Sequence, residues 1–172
     1  MNTKMSKIAL FVGALAATGG VWAASDTAHL DVGATVNNAC AIGEGYLSFG
    51  TIALPVNSGV GTRDSSLAID ASAAVPVVCT NGATAAITGD MGLNGGGSSR
   101  KMASGSDLLG YQLYTSSART TVLDTGTGAI PYTGTGSTES VLIYGRMEVA
   151  DIMMAKRGNY NDTVQLTITY SP

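Results

Sequence analysis

The chain has 172 residues, 45% of them hydrophobic and 12% charged, with one histidine and a formal net charge of −3. That length holds one domain and not two of ordinary size. The acidic balance and the lack of any basic run exclude a nucleic-acid partner, and the hydrophobic content excludes a disordered chain.

The chain opens on Lys4 and Lys7, then an apolar stretch of small residues, Ile8 to Trp22, then Ala-Ala-Ser. This is the pattern of a secretory signal peptide, too short to span a bilayer. Cleavage is expected after Ala23, with Val21 and Ala23 at the two positions that want small residues. Roughly 150 residues remain, one domain's worth. An even cysteine count in an exported chain implies a Cys40–Cys79 disulfide.

Beyond the leader the hydrophobic period is 2, which marks strands with one covered face. In His29–Val36, Leu30, Val32, Ala34 and Val36 share a face, opposite Asp31, Gly33 and Thr35. By pattern alone this arm is as well suited to fold back as a first strand as to serve elsewhere. Tyr46–Ile52 is the next expected strand, with Leu47 and Phe49 inward. A polar loop follows, Asn57–Ser66. Ala73–Thr80 puts Val75, Val77 and Cys79 on one face, and Pro76, lacking a donor, marks an edge or bulge. Asn81-Gly82 signals a tight turn into Ala83–Thr88.

Gly89–Arg100 is the densest glycine segment, but no Gly-Lys-Ser/Thr end or helix follows, so it is read as a flexible strand connection and not a phosphate loop. Leu108–Ser116 is a strong strand, with Leu109, Tyr111 and Leu113 on one face. Asp124–Ser140 reads as a long Gly/Thr loop. Val141–Val149 turns Val141, Ile143, Gly145, Met147 and Val149 inward, and Met147–Gly158 reads as a loop. The final strand turns Val164, Leu166, Ile168 and Tyr170 one way and Gln165, Thr167 and Thr169 the other. Short alternating runs divided by turn signals make the fold all-β, a sandwich of antiparallel sheets. No later strand is at hand to lie beside the last one, and an uncovered edge of that kind invites another chain.

Chemistry is not indicated. His29 stands alone in the N-terminal run, where neither a catalytic triad nor a zinc site can be assembled around it. Asp90, Asp107, Asp124, Glu139, Glu148 and Asp151 fall in loops or on polar faces, where solvation explains them. The expectation is no catalytic residue, no metal site, no cofactor and no enzyme activity.

Gly110–Leu123, with its tyrosine-leucine-tyrosine strand and arginine-threonine turn, resembles the spore-coat-U-like domains. Val141–Met147 and Gly158–Tyr170, the latter with its Gly-x-Tyr-x-Asp-Thr block, resemble the two closing strands of the same family, and the Cys40–Cys79 spacing agrees. That family includes subunits of archaic, Csu-type chaperone–usher pili. The resemblance implies an incomplete immunoglobulin-like β-sandwich of six strands, completed by a donor strand from a neighbouring subunit, a recognition mode known in general terms. The implied organisation is a signal peptide over 1–23, a donor-strand arm over 24–37 and a pilin domain over 38–172. Leu30, Val32, Ala34 and Val36 would be the donor residues, and Val164, Leu166, Ile168 and Tyr170 would line the acceptor groove. The implied partners are other copies or related pilins, a periplasmic chaperone and an outer-membrane usher. The implied location is a surface fimbrium reached through the periplasm, with a role in adhesion and biofilm formation. The alternative is a secreted coat or adhesin protein that folds alone and binds a surface or glycan.

Overall fold

A computed structural model describes residues 25–52 and 68–172. The expected leader and the loop over 57–66 lie outside the described residues. Contacts divide the chain into two units, 1–35 and 36–172. In the first, residues 25–35 form no helix or strand and their side chains are exposed.

The second unit contains β1 (Cys40–Ile42), β2 (Ile69–Cys79), β3 (Thr84–Gly89), β4 (Arg100–Ser104), β5 (Asp107–Tyr114), β6 (Ile130–Thr133), β7 (Glu139–Met147), α1 (Val149–Met154) and β8 (Leu166–Tyr170). They build two antiparallel sheets, one in the order β1-β2-β7-β5-β4 and one in the order β6-β3-β8. This is an all-β immunoglobulin-like sandwich, with eight strands among the described residues where the resemblance implied six.

Alternation in β2, β5 and β7 builds the interior. Val75, Val77 and Cys79 of β2, Leu109, Tyr111 and Leu113 of β5, and Ile143 and Met147 of β7 are all buried. They fall into two clusters. The larger gathers around Val75, Tyr111, Ile143 and Met147, and the smaller around Val77, Cys79, Ala83 and Ile87. Burying each large side chain of this kind contributes about 1.5–3 kcal/mol. Cys40 lies directly opposite Cys79 in the β1–β2 register, and the two form a disulfide with an S–S distance of 1.99 Å.

Pro76 sits within β2 and pairs with Ser140 of β7, while β1 pairs only with Val77–Cys79. Its carbonyl faces the β1 side, where it accepts from the Gly43 amide at 2.8 Å. In an antiparallel strand the N and C=O of one residue point the same way. The missing donor therefore faces the side on which the β1 ladder runs out, and the β2–β7 ladder loses nothing. The Asn81-Gly82 turn, closed by Ala83 N to Thr80 O at 2.9 Å, carries β2 into the other sheet. Gly82 has φ +82° there, a conformation that side chains disfavour.

Four stretches differ from the sequence reading. Residues 46–52 are not a strand. Leu47 and Phe49 turn inward as expected, but among the described residues the run has no ladder partner. Two short strands were not expected: β4, which starts at the last residue of the expected connection, and β6, inside the expected loop. β4 joins β5 through Gly105, φ +61°, at the first position of a two-residue turn. β6 is an edge strand, where Pro131 is tolerated. Met147–Gly158, expected as a loop, contains α1, whose Ile152 is 2% exposed in the main core. Burial of that one side chain supplies what so short a helix lacks on its own.

Candidate functional site

β8 is an edge strand. One side pairs with β3, from Ala85↔Tyr170 to Gly89↔Leu166, and among the described residues its other side has no partner. Residues 163–165 extend the same line, with Asp90 N donating to Gln165 O at 3.0 Å and Leu93 N to Thr163 O at 3.2 Å. Opposite them runs the segment 43–52, continuing from β1. Among the described residues, 44–52 form no helix or strand, and Leu47, Phe49 and Ile52 pack on the main core.

Between these two walls the sandwich stays open. A groove of about 1460 Å³ runs there, and Val75, Leu109, Tyr111, Leu113, Ile143 and Met147 of the five-stranded sheet contribute to its floor. The floor residues are themselves buried, each 9% exposed or less. Gly145 of β7 makes room for the outer wall, because a Cβ there would stand 2.9 Å from the Phe49 ring and 3.0 Å from Leu47.

The floor and walls meet at Tyr111. Its ring takes Phe49 edge-on, with centroids 6.1 Å apart and planes at 65°, a favoured aromatic geometry. Its hydroxyl donates to Asp162 Oδ2 at 2.6 Å. Burial, then the hydrogen bond to Asp162, push the phenol far above its ordinary range, so it remains a donor at any physiological pH. Asp162 Oδ1 accepts from Leu93 N at 3.0 Å and Asn94 Nδ2 at 3.2 Å.

Arg100 anchors the glycine segment from below. It is 0% exposed. Its Nε reaches Asp90 O at 2.8 Å, Nη1 reaches Gln112 Oε1 at 2.6 Å, and Nη2 reaches Gly89 O at 3.0 Å and Leu123 O at 2.6 Å. Desolvation pulls its pKa down, against the pull of Tyr111 and Asp90. Asp90 Oδ1 in turn accepts from Gly92 N and Gln165 N, both at 2.9 Å. The glycine segment is thereby tied to the groove wall.

Of the residues expected in the acceptor groove, Val164 and Leu166 line it. Ile168 packs instead on the smaller cluster, and Tyr170 lies opposite Ala85. All four are half-buried, alternating with exposed Gln165, Thr167 and Thr169. The expected donor residues are exposed, Leu30 by 87%, Val32 by 86% and Val36 by 80%, as is Ala34. His29 is exposed beside them. Asp162 and the opposite wall escaped the sequence reading. Carrying the final alternation two residues back from Val164 puts Asp162 on the inward face, and that was the available signal. Among the described residues, no three His, Cys, Asp or Glu side chains are placed to hold a metal.

Comparison with known proteins adds three findings. Residues 26–167 match the family model described as Spore Coat Protein U domain. Protein U of Myxococcus xanthus is 35% identical over 163 residues, covering 86% of this chain and 87% of that protein. Among solved structures, a chain of the chaperone–tip adhesion subunit pre-assembly complex from archaic chaperone–usher Csu pili of Acinetobacter baumannii aligns at TM-score 0.46 and 18% identity, over 78% of this chain. This protein spans 40% of the length of that solved chain.

Proposed function

The chain belongs to the Spore Coat Protein U domain family, and from that premise we propose that it is a structural, non-catalytic subunit of an archaic chaperone–usher pilus. Each copy lends residues 29–36 to the groove of the copy before it, and the fibre serves surface adhesion and biofilm formation. The observation that carries this reading is the open groove, an apolar floor beside the unpaired edge of β8.

The dimensions support the arm as occupant. The groove wall runs from Ala155 to Leu166, long enough to take the eight residues of the alternating arm 29–36. Leu30, Val32 and Val36, now exposed, would each contribute about 1.5–3 kcal/mol on burial, with Ala34 adding less. Each new ladder hydrogen bond would add about 0.5–1.5 kcal/mol net. A contact of this head-to-tail kind does not close on itself, so it builds a filament. In transit a periplasmic chaperone covers the groove with a strand of its own, and an outer-membrane usher exchanges that strand for the next subunit's arm. Cells secreting the chain should carry surface fibres under the electron microscope, and cells secreting it without residues 24–36 should not. Fibres built by the truncated chain would refute the arm's role.

One observation favours the coat alternative: the family is described by a spore coat protein. That reading requires a stable monomer in sedimentation at micromolar concentration, where the pilus reading requires assembly or a bound chaperone.

A further inference from the structure

We propose that Asp162, held in place by Tyr111, sets the register of the strand that enters the groove by excluding acidic side chains from its inward face. This inference rests on the donor-strand reading above.

The inward-facing residues of the groove wall are Tyr160, Asp162, Val164 and Leu166, each half-buried between exposed neighbours. Three suit an apolar groove, and the carboxylate does not. A charge facing a surface about to be covered costs free energy unless its oxygens are occupied. Here they are, and the donors come from two directions: Tyr111 from the floor, and Leu93 with Asn94 from the glycine segment. Gly92, at φ +76°, packs straight against the carboxylate, where a Cβ would stand 2.8 Å from its carbon. The group is therefore fixed in position, not free to swing into solvent. Tyr111 is equally fixed, since β5 lies between β7 and β4 and its ring bears on Phe49 of the far wall.

A fixed negative charge on one side of a strand-shaped groove reads the strand that enters. Residues 29–36 present Leu30, Val32, Ala34 and Val36 on one face and, on the other, Asp31, the one acid of that stretch. A slip of one residue reverses the faces and turns Asp31 toward the wall that carries Asp162. Like charges brought together as water leaves oppose that register. The partner this site accepts is an extended segment whose inward residues are apolar and free of carboxylates.

The test uses the full-length chain with its own arm disabled by Leu30→Ser and Val32→Ser, and a labelled peptide of residues 29–36. Three further peptides carry Asp in place of Leu30, Val32 or Val36. Asp162→Asn removes the charge and keeps Oδ1 as acceptor for Leu93 and Asn94, while its amide nitrogen takes the place of Oδ2 and can donate to the Tyr111 hydroxyl oxygen. It should improve binding of one acidic peptide relative to the parent by about tenfold, the effect of removing one close like-charge pair, and leave the other two ratios unchanged. Tyr111→Phe, which frees the carboxylate without removing it, should lower discrimination at that same position. A merely structural role would weaken all four peptides alike, and ratios unaltered by Asp162→Asn would overturn the inference while leaving the groove reading intact. Failure of the parent peptide to bind the unmutated groove would overturn both.

Discussion

Arg100 is a cation inside a sandwich, and its partners are main-chain carbonyls and one amide, not a carboxylate. Removing it orphans acceptors from three parts of the chain, each costing about 1–3 kcal/mol. Arg100→Met should therefore lower unfolding free energy by more than about 3 kcal/mol in urea titration. Arg100→Lys should recover little, because an ammonium cannot copy the planar fork. Asp70 is the contrasting case. It receives two hydrogen bonds from Arg146, at 2.8 and 3.0 Å, and lies 3.2 Å from Arg119. The Arg146 hydrogen bonds hold its carboxyl below the ordinary 3.8. A depressed pKa stabilises the fold above the unfolded value and loses that contribution as pH falls through the folded one. With the side chain 39% exposed, solvent limits the gain to about 1 kcal/mol or less. Asp70→Asn should lower the melting temperature slightly at pH 7, and the difference should vanish in acid below the folded pKa.

At the scale of elements, the segment 43–52 shows where reading by period succeeds and where it stops. The alternation of Leu47 and Phe49 correctly announces an inward face, yet no strand forms, because a strand needs a neighbour and the groove lies where that neighbour would be. Gly145→Val should push Phe49 and Leu47 off β7, costing about 1–3 kcal/mol through overpacking. It should also raise protease cleavage within residues 44–52, whose hold on the core is these side chains. The inner faces of β2, β5, β7 and β8 were legible because long alternating runs admit only one buried side. β4 and β6 were not, since Arg-Lys-Met-Ala-Ser and Ile-Pro-Tyr-Thr are short and lie at or near sheet edges, where hydrophobic alternation is weak. α1 was hidden for another reason: its only claim to order is Ile152, and its burial depends on tertiary packing that no local pattern records. In the groove, Val164 and Leu166 could be named in advance, but Asp162 lies just ahead of the clean alternation and was passed over. Arg100 was beyond reach, because a lone arginine after glycines and serines looks like surface.

For the whole molecule, the disulfide and the groove belong to one arrangement. Cys40 and Cys79 are 39 residues apart and hold β1 against β2 immediately before the chain becomes the outer groove wall. Replacing both with serine should cost about 4 kcal/mol in the chain-entropy view, read as a lower urea midpoint. It should also weaken capture of the arm peptide, since the wall loses its tether. The Asn38 side chain, at the root of the arm, donates to Ser171 O just past β8, at 2.9 Å. The root of the segment proposed as donor thus lies beside the end of the strand proposed as acceptor. Stacked in series, such molecules would make a rope with an arrow on it, a vacant socket at one tip and a loose plug at the other. Newcomers would enter only at the socket tip, plug first, and a plugless copy could never join the rope.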